Sequence, residues 1–304
     1  MRVLITGSAG QVGRQLLITK PEGVEALGVT RAECDITSGQ AISTVVEQFR
    51  PDAVINAAAY TDVDRAESDS EGAFAVNRDG AANVARAARR FNARLIHIST
   101  DYVFDGSRTT PYPTTAAPAP LSVYGASKLA GELAVLDSAP NAMVLRTAWV
   151  YSDAGKNFVT TVIRILGSGA PMRVVTDRKG TPTSARDLAQ TLWRIVSLPA
   201  THHVLHWTNA GVASWYDFAV AVREIARERG LLRHAAEIVP ILSGELNTPA
   251  ARPAYSVLDS FLAWKELGPA RDWRIALADT LETLAASAGS EREAAQRDPS
   301  PYAK

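Results

Sequence analysis

Three glycines spaced three residues apart, Gly7, Gly10 and Gly13, stand between a short aliphatic run, Val3–Thr6, and a stretch with helical spacing, Gln11–Ile18. A glycine-bearing turn that leaves a buried strand and opens a helix restricts the chain to few folds. One glycine permits the tight turn, the next lets a phosphate approach the backbone, and the last lets helix and strand pack closely. The helix N-terminus adds unpaired N–H groups and a partial positive charge. The spacing differs from the older G-x-G-x-x-G, and a turn without a ligand is the bland alternative. The context, directly after the first strand, favours a dinucleotide, with Gly7, Gly10, Gln11, Val12 and Gly13 around its pyrophosphate.

The rest of the first half repeats the same rhythm. Val24–Val29, Ala53–Ala57, Leu95–Ser99 and Met143–Thr147 read as buried strands, and Gly39–Phe49, Ala73–Phe91 and Tyr124–Leu136 as helices. The strands are continuous apolar runs, as a sheet covered on both faces requires. The expected fold class is therefore α/β, a Rossmann-type doubly wound parallel sheet. The second half is less regular: helices near Phe158–Leu166, Ser184–Val196, Trp215–Glu228, Ser256–Leu267 and Asp272–Ala286, and strands at Arg173–Thr176, His203–Trp207 and Ile238–Ile241. It predicts a smaller, interleaved C-terminal α/β substrate domain. The division expected is 1–150 with 177–212 returning to it, 151–176 with 213–286 as the substrate domain, and a disordered tail at 287–304.

Composition narrows the class. The 304 residues carry 32 basic and 32 acidic side chains, so no basic excess points to nucleic acid. No run approaches the roughly 18 apolar residues of a membrane span, and the first apolar stretch is too short for a signal peptide. One cysteine, Cys34, allows neither an internal disulfide nor a cysteine-based metal site, and points to a reducing compartment. The expected setting is cytoplasmic, with no nucleic-acid or membrane partner. Asp62, Asp64, Glu67, Asp69 and Glu71 form an acidic stretch; a solvated face is the plainer reading, a divalent ion at a subunit contact the other. No metal ligand is assigned, Mg2+ dependence is left open, and a homodimer is possible.

After the second strand the sequence runs Thr30-Arg31-Ala32-Glu33. Arg31 can meet a 2′-phosphate, which favours NADPH, whereas the nearby Glu33 resembles the acid of an NADH site. Asp35 and Ile36 follow where an adenine would lie.

Tyr124 and Lys128 are four apart on one helical face, about 5–6 Å between Cβ atoms. Across ~6 Å at an effective dielectric of about 20, Coulomb's law gives roughly 3 kcal/mol in favour of a phenolate. That would bring a phenol from ~10 toward ~8 and make it an acid–base group near neutrality. The alternative is an amphipathic helix with a packed tyrosine and a solvated lysine. Ser99 and Thr100 end a strand, where ligands of open α/β sheets bind.

Gly7/Gly10/Gly13, Asn56-Ala57-Ala58-Ala59, Asn77, Ser99-Thr100-Asp101 and Tyr124/Lys128, together and in this order, resemble the extended short-chain dehydrogenase/reductase superfamily. Within it the chain is most similar to the dTDP-4-dehydrorhamnose reductases. The matching segments are Asn56–Glu67, Ser99–Gly106, Tyr124–Glu132, Arg146–Tyr151, Asn157-Phe158, Asp177–Thr183 and Arg252-Pro253. Sugar-nucleotide dehydratases usually carry Thr-Asp-Glu at the strand end. Tyr102 stands here at the third position, which removes the carboxylate that water elimination needs. The chain also departs from the family's Arg-Pro-x-Asn-Ser, having Tyr255 where the asparagine falls.

The resemblance implies reduction of the C4 ketone of dTDP-4-dehydro-L-rhamnose, giving dTDP-L-rhamnose for cell-surface polysaccharide. Tyr124 would protonate the alkoxide, Lys128 would lower the phenol's pKa and hold the nicotinamide ribose, and Thr100 would donate to the C4 oxygen. Ala57, Ala58, Ala59, Tyr60, Asn77 and Ser99 would border the cofactor. Thr61, Val63, Asp101, Tyr102 and Trp149 would meet the sugar, and Asn157 and Arg252 the diphosphate. Two other readings stand beside it: a catalytically silent NADP(H)-binding regulatory relative, and another sugar-nucleotide ketoreductase or 4-epimerase.

Overall fold

The computed structural model describes residues 1–199, 202–234 and 236–297, with side chains through Ser287. In chain order the elements are β1 (Arg2–Thr6), α1 (Gln11–Ile18), β2 (Glu25–Val29), α2 (Gly39–Phe49), β3 (Ala53–Asn56), α3 (Val63–Ala66), α4 (Ser70–Phe74), a π-helical turn (Ala75–Gly80), α5 (Ala81–Arg90), β4 (Arg94–Thr100) and α6 (Val123–Ser138). They continue with β5 (Met143–Thr147), β6 (Val150–Tyr151), α7 (Phe158–Gly167), β7 (Met172–Val175), β8 (Lys179–Gly180), β9 (Thr183–Ser184), α8 (Ala185–Ser197), β10 (Val204–His206), β11 (Ala213–Ser214), α9 (Trp215–Glu228), β12 (Ile238–Ile241), α10 (Phe261–Leu267) and α11 (Trp273–Arg297).

Six strands form one parallel sheet in the order β10-β5-β4-β3-β1-β2. Successive side chains of a strand face opposite ways, and both faces are buried. Val3, Ile5, Ile55 and Ile96 pack with Leu16 of α1 and with Leu188, Leu192 and Trp193 of α8. Leu4, Val54 and Leu95 pack with Ile42 and Val46 of α2, Val84 and Ala88 of α5 and Val135 of α6. The expected doubly wound sheet is present. From β1 the chain moves outward to β2, then crosses back to β3 on the other side of β1, so the carboxyl ends around β1 open into a crevice.

A second apolar cluster gathers Tyr151, Val159, Phe218, Val222, Trp273 and Leu277 from β6, α7, α9 and α11. In sequence between these elements, α8 covers the first core and β10 pairs with β5. Three expected elements differ. The stretch read as one helix over 73–91 is interrupted by the π-turn. The helix expected from Ser256 begins only at Phe261, because Val257 and Asp259 form backbone bonds with Tyr112, while Ser256 bonds Lys179. Helix α10 then packs Ala263 on the first core, not on the second cluster. Finally, α11 runs on to Arg297 through Ala-, Glu- and Arg-rich sequence of high helix propensity, so the tail expected at 287–304 is helical over its first part. Residues 298–304 lie outside the described residues.

Candidate active site

A cleft of about 830 Å³ opens over the carboxyl ends of β1, β3, β4 and β5. At its floor Gly7 has φ +69°, and a Cβ there would meet the Ala58 nitrogen at 2.6 Å. The turn is thus pressed against the Ala57–Ala59 loop. A Cβ at Gly13 would come 2.3 Å from the Gly7 carbonyl oxygen. Gly13 is buried and does not line the cleft, so its expected cofactor contact becomes a contact between the helix and its own turn. Gly10 is the N-cap of α1, and no side chain caps that end. The open N–H groups face the cleft where a pyrophosphate belongs.

Arg31, Asp35 and Ile36 line one end of the cleft. The Arg31 side chain is 83% exposed and lies 3.3 Å from the Asp35 carboxylate. Asp35 is held below the usual carboxylate range mainly by the Thr37 backbone N–H. Glu33 turns away: its carboxylate accepts from the Thr30 N–H and hydroxyl, both at 2.8 Å. It does not line the cleft, so the only acid that argued for NADH is occupied in its own turn. An open helix N-terminus, an apolar wall at Ala57–Ala59 and an exposed guanidinium, paired through Nε with Asp35, together fit a dinucleotide with a ribose 2′-phosphate.

Asn77 is placed differently from expectation. It is buried, donates to the Tyr60 carbonyl oxygen at 3.0 Å and the Ser127 hydroxyl at 2.9 Å, and accepts from the Tyr60 N–H at 2.8 Å. With both amide ends so used, it fixes the loop that borders the cleft rather than touching a ligand. Ala57, Ala58, Ala59, Tyr60, Thr61, Val63 and Ser99 do line the cleft. The Ser99 hydroxyl donates to Glu132 at 2.5 Å.

Tyr124, Thr100, Asp101 and Lys128 converge at the centre. Thr100 ends β4; its hydroxyl donates to Asp101 at 3.1 Å and accepts from the Tyr102 N–H at 3.2 Å. Burial pushes the Tyr124 phenol up, the neighbouring Thr100 hydroxyl opposes this, and Asp101 and Tyr102 add to it. The expected lowering by Lys128 is not found. Four-residue spacing shares a helix face, but the ammonium reaches the Ile98 carbonyl oxygen at 2.7 Å instead of the phenol. Burial lowers Lys128 to about 8, with Glu132 acting against it. Asp101, 2% exposed, is pushed up to about 6 by burial. Tyr102 is pushed up to about 12 by burial and stands edge-on to Tyr124, 5.7 Å between ring centroids. At neutral pH the centre therefore offers a protonated phenol beside a hydroxyl, which can donate to an oxygen that gains charge.

The outer wall has Trp149 and Trp215, stacked at 3.7 Å. Two residues expected at a diphosphate are engaged elsewhere. Asn157 is the N-cap of α7: it accepts from the Thr160 N–H and donates to the Ser152 carbonyl oxygen at 2.9 Å. Arg252 grips Asp64 through two bonds, at 3.0 and 2.7 Å. Neither lines the cleft. The acidic stretch is likewise employed: Asp62 and Asp69 cap α3 and α4, and Glu67 accepts from the Val123 N–H. Sequence reasoning missed Trp215, Arg14, Lys156 and Gly155 in the lining. Trp215 opens a helix sixty-odd positions after Trp149, and no local spacing announces their contact.

The family profile described as RmlD substrate binding domain matches residues 1–286. The chain is 42% identical over 299 residues to a dTDP-4-dehydrorhamnose reductase of Mycobacterium tuberculosis, covering 96% of each protein. It is 41% identical over 294 residues to a probable dTDP-4,6-dihydroxy-2-methyloxan-3-one 4-ketoreductase of Streptomyces antibioticus, covering 94% of this chain and 97% of that one. The crystal structure of a Bacillus anthracis dTDP-4-dehydrorhamnose reductase in complex with NADP superposes with a TM-score of 0.87 at 35% identity, covering 92% of this chain and 98% of that one. With most of its length matched by the profile and by these relatives, the chain belongs to the RmlD substrate-binding-domain family, alongside the dTDP-4-dehydrorhamnose reductases.

Proposed function

We propose that this chain reduces the C4 ketone of dTDP-4-dehydro-L-rhamnose to dTDP-L-rhamnose, with NADPH as the reductant. The nicotinamide, when bound, supplies the hydride. Tyr124 donates its proton to the C4 oxygen, and Thr100 holds that oxygen with a second hydrogen bond as charge develops on it. Lys128, charged below about 8, presents a cation to the ribose hydroxyls from its place on the Ile98 carbonyl. Arg31 receives the 2′-phosphate, and the open end of α1 the pyrophosphate. Thr61, Val63, Asp101, Tyr102 and Trp149 face the sugar. The observation that carries the reading is the protonated Tyr124 phenol beside Thr100, in one cleft with a phosphate-binding helix end.

The separate apolar clusters support a dinucleotide domain of residues 1–150 with 177–212, and a sugar-nucleotide domain of 151–176 with most of 213–286. Cys34, buried and unpaired, is in keeping with a reducing cytoplasm.

The test is oxidation of NADPH, and separately NADH, by the purified protein with enzymatically generated dTDP-4-dehydro-L-rhamnose. Turnover faster with NADPH is expected, with Tyr124→Phe slower by about 10²–10⁴-fold and NADPH binding retained. Equal turnover in the variant would remove Tyr124 from the chemistry. A second reading rests on the Streptomyces relative: the substrate is a different dTDP-4-ketosugar. Cofactor oxidation with that sugar but not with dTDP-4-dehydro-L-rhamnose would select it.

A further inference from the structure

Trp149 adopts φ +45°, a backbone region that L residues with bulky side chains enter only when their surroundings impose it. Three neighbours do so. The Trp215 indole lies on the Trp149 ring at 3.7 Å between centroids and 12° between planes. Gly180 lies against the Nε1–Cε2–Cζ2 side of the same ring, where a Cβ would come within 2.4 Å. The Thr183 N–H donates to the Trp149 carbonyl oxygen at 3.1 Å.

Trp215 is itself pinned. It is the first residue of α9, directly after Ser214, whose hydroxyl accepts from the Asp217 N–H at 3.0 Å while Asp217 accepts in return from the Ser214 N–H at 2.9 Å. Phe158 closes against Trp215 from α7, at 4.6 Å and 58°. Both indoles line the cleft that holds Tyr124 and Thr100. A stacked indole pair gains from ring contact beyond its buried area, and the gain depends on orientation.

We propose that Trp215 is a positioning residue for the reacting sugar: it fixes the Trp149 indole, with Gly180, in the single orientation against which the sugar ring of the substrate is held. The inference rests on the sugar-nucleotide reading above. Without Trp215 the Trp149 ring gains rotamers, and a sugar ring must order it on binding. The cofactor end of the cleft, built from the glycine turn and Arg31, is untouched.

The experiment compares wild type, Trp215→Leu and Trp215→Phe as full-length proteins. It measures KM and kcat for the dTDP-ketosugar, calorimetric Kd for dTDP-L-rhamnose, Kd for NADPH, and the exciton couplet of stacked indoles by circular dichroism. Trp215→Leu is expected to raise KM and the dTDP-L-rhamnose Kd about tenfold, with kcat and the NADPH Kd little changed. Its couplet should disappear, as it should in Trp149→Phe. Trp215→Phe, which keeps a ring to stack, should recover most of the affinity. Loss of the couplet with unchanged sugar-nucleotide affinity would overturn the inference, as would a parallel loss of NADPH affinity. Wild-type protein that binds dTDP-L-rhamnose without turnover would sink the reductase reading alone, and the binding comparison would still decide this one. Wild-type protein that binds no dTDP-sugar would sink both.

Discussion

Lys128 hangs from the Ile98 carbonyl oxygen at 2.7 Å, so its role depends on where its ammonium is held as much as on its charge. Burial lowers it to about 8, which makes the cation a species of neutral and acidic solution. If that cation holds the cofactor ribose, kcat/KM should be level below about pH 8 and fall as pH rises through that value. Lys128→Arg, which stays charged, should lose this limb whatever its absolute rate. A pH profile whose alkaline limb is the same in both proteins would assign the limb elsewhere. Sequence spacing correctly put Tyr124 and Lys128 on one face, but a face is not a contact. The long, flexible lysine stem let a backbone carbonyl outcompete the phenol. Asn77, Asn157 and Arg252 teach the same point. Their types advertise donors, yet each donor is already committed to the protein's own loops and carboxylates, and a linear sequence does not show which partner arrives first.

The elements that carry these residues are braced from behind. Glu132 on α6 and Arg146 on β5 form a buried ion pair at 2.6 Å, with side chains 3% and 5% exposed. Glu132 also accepts from Ser99 on β4, and Arg146 lies 5.2 Å over the Phe104 ring. One pair thus locks the helix bearing Tyr124 to the two strands whose ends form the centre. Removing one member leaves the other charge buried, so Arg146→Ala should lower unfolding free energy by about 3–5 kcal/mol. Denaturant titration checks this; a loss under about 1 kcal/mol would mean that water reaches Glu132. The strands of this brace were legible because they are continuous apolar runs. The π-turn at Ala75–Gly80 was not, since one widened turn leaves no compositional trace. Its packing signal was present but ambiguous: Gly131 on α6 crosses so closely that a Cβ there would come 2.0 Å from the Asn77 carbonyl oxygen.

At the scale of the whole molecule, protonation couples to folding through three buried groups. His97, against Asn56, and His206, against the Tyr112 carbonyl, are both lowered by burial, His206 to about 3. Asp101 is raised to about 6. Between about pH 6 and 4 the unfolded chain protonates two histidines while the folded chain protonates one aspartic acid. The unfolded state therefore holds about one proton more, and stability should fall by about 1.4 kcal/mol per pH unit as the solution is acidified. Unfolding midpoints across that range check the slope; in His206→Gln it should nearly vanish. The double winding of the sheet was readable because strand and helix alternate, whereas the placement of α10 depended on contacts between residues far apart in sequence.

The strand order carries a consequence for how the chain is made. β5 pairs on its outer edge with β10, and residues 148–203 stand between them. At ~5–20 residues per second, synthesis of that stretch takes several seconds, during which the outer edge of β5 has no strand beside it. The nascent sheet thus waits with an open hydrogen-bonding edge that invites pairing with other chains. On this topology, that exposure ends only when β10 emerges, after the other five strands of the central sheet have already been made.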